Sequence, residues 1–216
     1  MQCGYFPEKE CLLEAKLIKN IDPETMDFLL AQGWRHFGHY FFKPACHNCR
    51  DCIPIRIPVE KFKMRKDQKR NWKKNANIQF LVLNPSYTQK KFTLYQEHCR
   101  FRFQSKQQTK SLYYLDFIYS PPTTYETNYF LNNELIGTGY IDITESSISS
   151  IYFFYARKVL SAGPGVFSIL KEIQFAKRLK KKYLYLGYYI KDNHFMAYKN
   201  RFLPNQKYNW ETGIWS

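Results

Sequence analysis

Apolar residues recur along this chain with two different periods, and the way those periods alternate predicts a mixed α and β architecture. Asp22 can cap a helix whose first position is Pro23; Met26, Leu29 and Leu30 follow at helical spacing before Gly33 supplies a left-handed stop. The first twenty residues, with Cys3-Gly4-Tyr5-Phe6-Pro7 and Cys11, read as an irregular start. From Tyr40 to Val59 the pattern predicts strands around a cysteine loop. In the later strand Ile53, Ile55, Ile57 and Val59 alternate with Pro54, Arg56 and Pro58, so one face is expected to be buried. A strand over 78–83 leads through Asn84-Pro85-Ser86 to Thr88, the expected cap of a helix ending near Arg102, and the polar stretch 104–110 breaks the pattern. Strands over 128–131, 135–143 and 148–155, a Gly/Pro loop, a helix over about 166–181 and a strand over 183–190 complete a β-β-β-loop-α-β order.

Composition narrows this to a class of partner. Lysine and arginine number 33 against 18 acidic residues, a formal charge of +15, which points to a polyanion. No run approaches ~18 consecutive apolar residues, and no basic-then-apolar leader opens the chain, so a soluble, cytoplasmic monomer without a membrane partner is expected. Six cysteines in such a compartment suggest metal ligation or buried thiols rather than disulfides. At 216 residues two lobes fit, with the boundary placed after Lys74: a cysteine-cluster lobe over 1–74 and a larger lobe over 75–216.

Four constellations carry candidate chemistry. Cys46, Cys49 and Cys52 have the spacing with which one loop presents thiolates to a tetrahedral ion, and Cys3 is the candidate fourth ligand. Zinc and an iron-sulfur cluster both accept four thiolates, a reduced trio with packing roles is the alternative, and His47 is a possible substitute ligand. Cys11 and Cys99 read as ordinary thiols. The basic run 61–74, with Lys66, Lys69, Arg70, Lys73 and Lys74, would follow a phosphate backbone, with Trp72 available to stack on a base and the run 177–182 extending the surface. Gly163 and Gly165, in Ser161-Ala162-Gly163-Pro164-Gly165, would let a ligand approach a helix start. Asp142 interrupts an apolar strand, where burial without a partner is costly, so membership of a structural ion pair is its commoner reading; Tyr198 and Lys199 arrive near the end of another strand.

The strand-loop-helix-strand order is similar to the acyl-transfer core of the GNAT superfamily. Taken together, Cys3-Gly-Tyr-Phe-Pro7, Gly33-Trp-Arg-His-Phe-Gly38, the segment Lys43 to Ile57, Gln68-Lys-Arg70, Ser149 to Tyr155, Tyr183 to Ile190 and Met196 to Phe202 resemble the aminoacyl-tRNA-protein transferase family, which includes arginyltransferases and bacterial aspartate/glutamate leucyltransferases. The resemblance implies an α+β fold with a GNAT-like core and a smaller cysteine-bearing lobe. It also implies aminoacyl-tRNA as donor, a protein N-terminus beginning with Asp or Glu as acceptor, and a product destined for N-degron degradation. An aminoacyl ester is already activated and an α-amino group has a pKa of about 7.7–8.0, so no ATP is required and positioning should dominate. On this resemblance Asp142 meets an α-ammonium, and Tyr198 and Lys199 orient the developing oxyanion or the tRNA end. Arg35, Arg56 and Arg201 are the candidates for an acceptor carboxylate. Leucine is the expected donor, with arginine as the close variant; a metal-stabilised RNA-binding module and an acetyl-CoA-dependent GNAT enzyme are the alternatives. Where the family carries an acidic element, this chain has Ala156-Arg157-Lys158.

Overall fold

The computed structural model describes residues 1–103 and 108–216, so the polar break expected over 104–110 lies largely outside the described residues. In chain order the elements are β1 (Leu13–Leu17), α1 (Pro23–Ala31), β2 (Arg35–Phe37), β3 (Tyr40–Pro44), β4 (Ile53–Pro58), α2 (Lys66–Lys74), β5 (Gln79–Leu83), α3 (Gln89–Phe103) and α4 (Lys110–Tyr113). Then come β6 (Thr124–Leu131), β7 (Glu134–Ile143), β8 (Ser147–Tyr155), α5 (Pro164–Arg178), β9 (Tyr183–Tyr189), a 3-10 turn (Ala197–Arg201) and β10 (Gln206–Lys207).

Local signals account for several of these. Asp22 accepts from the Thr25 amide at 2.8 Å and caps α1, which buries Met26, Leu29 and Leu30. Thr88 caps α3 through the Lys91 amide at 3.2 Å. Asn132 and Asn133 both have positive φ, the conformation a two-residue hairpin needs, and join β6 to β7. The opening segment is more ordered than expected: Gln2 bridges Glu10, and β1 pairs with β3 in a small antiparallel sheet ordered β1-β3-β2.

The large sheet has seven strands in the order β10-β4-β9-β8-β7-β6-β5. Every pairing in it is antiparallel except β8 with β9, which run parallel with α5 as their connection. This is an α+β fold with the strand-loop-helix-strand order expected from the sequence. Ile141 and Tyr140, neighbours on β7, enter different clusters: the first packs with Ile148, Leu170 and Ile173 beneath α5, the second with Tyr95, Tyr113 and Phe117 beneath α3 and α4. Both faces of the sheet are therefore covered. The expected half-buried β4 is a correction, because Pro54 and Arg56 are buried along with Ile55 and Ile57. β9 and β10 pair with its two edges, Ile55 and Ile57 enter the cluster beneath α5, and on the other face Arg56 is covered by Tyr183 and Trp215. Residues before Lys74 thus supply a strand to the larger sheet, and α2 packs on α5.

Candidate active site

The parallel pair β8–β9 is registered only from Ser147–Tyr183 to Ser149–Tyr185. Beyond that point β8 follows β7 and β9 follows β4, so the two strands part and the sheet forks. Arg35, delivered by β2 after the Gly33 turn, projects its guanidinium into this fork. It donates to Ser149 Oγ at 2.8 Å and to the Ser150 carbonyl, and it is 9% exposed. On the opposite strand Gly187 has φ +79°, a conformation that favours glycine, and the Arg35 guanidinium lies against it, with Nε 3.5 Å from where a Cβ would sit.

Three further groups adjoin it. Lys199 Nζ donates to the Tyr188 carbonyl at 2.9 Å. Burial pulls this ammonium down to about 7, the positive charge of Arg35 adds to the effect, and Cys52 opposes it. The Tyr198 hydroxyl lies 3.9 Å from where a Gly165 Cβ would sit and is pushed up to about 12, by burial first and then by Glu172 and Tyr155. Glu172, on α5 and 1% exposed, receives only a long 3.4 Å bond from Ser150 Oγ at Oε1. Among the described residues its Oε2 has no hydrogen-bond partner. Burial pushes this carboxyl up to about 8, against the pull of Ser150 and Arg35.

Asp142 is placed as the structural ion-pair reading expected, and not against a substrate ammonium as the resemblance implied. It is 0% exposed; its Oδ2 faces His36 Nε2 at 2.8 Å and its Oδ1 accepts from Thr124 Oγ1 at 2.9 Å. The other ring nitrogen of His36 faces the Gly38 carbonyl at 2.8 Å, which can only accept, so Nδ1 carries hydrogen and a further proton lies between Nε2 and Asp142. Asp142 is thus an internal partner that holds β2 against β7, and no part of it faces solvent. Arg56 is likewise consumed: its guanidinium lies 3.7 Å over Tyr183 and 4.3 Å over Trp215, and it bonds Gln206 and the Tyr185 hydroxyl. Arg201 forms a surface pair with Asp67 at 2.5 Å. Of the three arginines only Arg35 enters the fork.

The basic helix α2 is fixed beside the site by the face that carries its polar amides. Gln68 Oε1 accepts from the Arg65 amide, and its Nε2 donates to the Arg201 carbonyl at 3.2 Å, which ties α2 to the turn bearing Tyr198 and Lys199. Asn71 Nδ2 donates to the carbonyls of Ala162 and Gly163, and Asn75 Nδ2 to that of Ala162. These residues, with Trp72, share one helix face. Lys66, Lys69, Arg70, Lys73 and Lys74 are left exposed. Trp72 is therefore a correction: it packs 5.6 Å from Phe167 with Lys171 Nζ 4.5 Å over its ring, and does not stand out as a stacking platform. The α5 entry also differs. Gly163 has φ +67°, and a Cβ there would lie 2.7 Å from Asn71 Nδ2; Pro164 lacks an N–H, and the Val166 and Phe167 amides both go to the Gly163 carbonyl. Little is left there for an anion.

The five N-terminal thiols share one neighbourhood. The hairpin that carries Cys3 and Cys11 is held to the 45–52 loop by Lys9 and Asp51 at 2.7 Å, and by the Leu12 amide on Cys46 Sγ at 3.4 Å. Cys52 is pushed up to about 12 by burial and then by Cys3, Cys49, Cys46 and Cys11. Cys11 belongs with the group through Cys46, contrary to its reading as an ordinary thiol, whereas Cys99 is simply buried. In chemical type the donors suit a thiolate-bound metal, although among the described residues no three such side chains yet converge on one point. His47 is exposed.

Sequence reasoning missed Glu172 and His36. A glutamate within the apolar stripe of α5, beside Ile169, Ile173 and Ala176, was the available signal for the first; nothing local pairs His36 with a residue 106 positions away.

Comparison with known proteins bears on all of this. The N-terminal model of arginine-tRNA-protein transferase matches residues 1–70, and the C-terminal model matches residues 90–209. An aspartate/glutamate leucyltransferase of Helicobacter hepaticus is 36% identical over 208 residues, covering 94% of this chain and 86% of its own. The enzyme of the same description from Campylobacter jejuni is 33% identical over 214 residues, covering 95% and 88%. Among solved structures, the C-terminal domain of a protein described as a lysylphosphatidylglycerol synthetase from Agrobacterium fabrum superposes with a TM-score of 0.52 at 10% identity; it covers 80% of this chain and 54% of that one, and speaks to the fold alone. With the two family models matched over residues 1–70 and 90–209 and relatives alike over most of their length, this chain belongs to the arginine-tRNA-protein transferase family, the enzymes that move an amino acid from its tRNA to a protein.

Proposed function

We propose that this transferase moves leucine from Leu-tRNA to the α-amino group of proteins that begin with Asp or Glu, acting in the cytoplasm and marking them for the N-degron pathway. The observation that carries the acceptor choice is Arg35: a buried guanidinium in the fork, bonded to Ser149 and Ser150, with no carboxylate in ion-pair range among the described residues. A guanidinium with donors to spare binds a carboxylate bidentately. The names of the relatives support leucine as donor and Asp or Glu as acceptor.

In this reading the exposed cations of α2 hold tRNA phosphates, and Gln68 and Asn71 keep that helix in register with the fork. The reacting ester then lies near Lys199 and Tyr198. A lysine at about 7 donates a hydrogen bond to the developing oxyanion in its charged form and releases the product readily in its neutral form. The tyrosine, well above its ordinary value, stays a hydroxyl and orients the ester. Chemistry of this kind needs no ATP, since the ester carries the activation. An acetyl-CoA donor is disfavoured by the α5 entry, whose Val166 and Phe167 amides already go to the Gly163 carbonyl and whose Pro164 has none to offer.

Cys3, Cys46, Cys49 and Cys52, with Cys11 beside them, would hold a zinc ion or an iron-sulfur cluster, which would lock the N-terminal hairpin to the loop that opens β4. The experiment that tests the function supplies labelled Leu-tRNA or Arg-tRNA with peptides differing only in their first residue. Label passing from Leu-tRNA alone to Asp- and Glu-initiated peptides alone is expected; transfer from Arg-tRNA, or to every peptide alike, refutes the reading.

A further inference from the structure

Three carboxylates with at most 1% exposure lie inside the described residues, and two of them are saturated. Glu126 meets Lys91 Nζ at 2.6 Å, Asn128 Nδ2 at 2.8 Å, and the amide and hydroxyl of Ser86. Asp142 has His36 and Thr124. The third, Glu172, has a 3.4 Å contact on one oxygen and nothing on the other. A carboxylate kept only for the fold is surrounded by donors as Glu126 is; one left open inside the protein is costly to retain unless a cation from outside completes it.

We propose that Glu172 binds the acceptor's α-ammonium and takes its proton, while Arg35 across the fork receives the acceptor's side-chain carboxylate, an assignment that rests on the function proposed above. An N-terminal Asp or Glu offers a positive and a negative group a few bonds apart, and the fork offers the matching pair from α5 and β2. The groups that face Glu172 from the elements packed around it are Arg35 of β2, Ser150 of β8, Tyr129 of β6 and Tyr198 of the turn after β9. Arg35 is the one positive charge among them. At about 8 the carboxyl is matched to an α-ammonium of about 7.7–8.0, so a proton passes between the two with little driving force either way.

The step balances. Glu172 carboxylate removes one proton from the ammonium, the freed nitrogen pair forms a C–N bond at the ester carbonyl, and the bond from that carbon to the ribose oxygen breaks. The leaving oxygen takes the second amine proton, which yields amide, tRNA hydroxyl and neutral Glu172; the carboxyl then gives its proton to solvent.

The test compares wild type with Glu172→Gln in single-turnover transfer from Leu-tRNA to an Asp-initiated peptide between pH 7 and 9.5, with Leu-tRNA retention on filters as a control. At pH 7 the variant should be slower by about 100-fold, the range of a lost general base. The deficit should narrow at least about tenfold by pH 9.5, where the peptide amine is already deprotonated in solution, and tRNA retention should be unchanged. A deficit that is the same at every pH, or no deficit, overturns the assignment. If the amide variant does not fold, Glu172→Asp decides: a rate within about twofold of wild type at pH 7 overturns the proposal, and a clear loss with the wild-type pH profile supports it. Wild type that fails to transfer at all defeats the proposed function and this assignment with it, whereas active wild type with an equally active variant defeats the assignment alone.

Discussion

Replacing Asp142 with Asn should damage stability before it damages chemistry. The carboxylate is fully buried, holds a proton in common with His36 at 2.8 Å and accepts from Thr124, so the amide leaves a buried imidazole facing a weaker partner and forces one hydrogen bond to be reorganised. Removing one member of a buried pair typically costs about 3–5 kcal/mol; because the amide nitrogen can still donate to Nε2 while its oxygen accepts from Thr124, ~3 kcal/mol is the expectation. For a chain of this length each kcal/mol lowers Tm by roughly 2–4 °C, so the variant should melt roughly 6–12 °C below wild type. Urea unfolding followed by circular dichroism would give the same loss as a lower midpoint with unchanged slope. His36→Gln should cost a similar amount, and the double variant should lose less than the two singles together, with a coupling of about 1–3 kcal/mol. Transfer per folded molecule, measured well below the melting transition, should stay within about threefold of wild type. A variant that melts within about 1 °C of wild type yet loses transfer more than about tenfold would refute this account and return Asp142 to the substrate.

Other outcomes follow from the same geometry. Lys199→Ala should lower transfer more than about tenfold, or ~1.4 kcal/mol of barrier, with tRNA retention intact; an unchanged single-turnover rate would remove Lys199 from the site. Glu172→Gln should stabilise the protein at high pH. The native carboxyl titrates near 8 against 4.5 unfolded, so the wild type loses stability as pH rises between those values, by at most ~1.36 kcal/mol per pH unit, and its Tm should fall below that of the variant above pH 8 and converge with it below pH 4. Identical melting curves at pH 9 would contradict the buried, unpaired placement. Charge removal at Lys69 or Lys73 should weaken Leu-tRNA binding and reduce the slope of log affinity against log salt by about one per residue, a change absent if α2 does not touch phosphate. Cys49→Ser or chelation should lower the zinc or iron content found by elemental analysis and lower Tm; metal-free protein of full stability would exclude a structural cluster.

Much of the frame was legible without coordinates, because it rests on contacts between residues close in sequence. A cap at Asp22, a pair of asparagines that tolerate positive φ, and the apolar periods of β7, β8, α5 and β9 are local properties, and those elements appear where they were expected. The short elements were not. β10 has two residues and β2 three, too few for any periodicity to register, and each exists because a neighbouring strand presents an edge to it.

The chemistry divides along the same line. Residue types and motifs on the chain pointed to the transferase family, to the cationic character of 66–74 and to Arg35, Tyr198 and Lys199 as candidates for the site. Which arginine enters the fork, which carboxylate is already satisfied and which face of α2 is turned inward depended on partners more than a hundred residues apart: Arg35 with Ser149, His36 with Asp142, Gln68 with Arg201. A one-dimensional pattern records whether a side chain is polar, but not whether folding completes its hydrogen bonds. That difference, between a saturated Asp142 and an open Glu172, arises only when β8 and β9 separate and α5 closes over them.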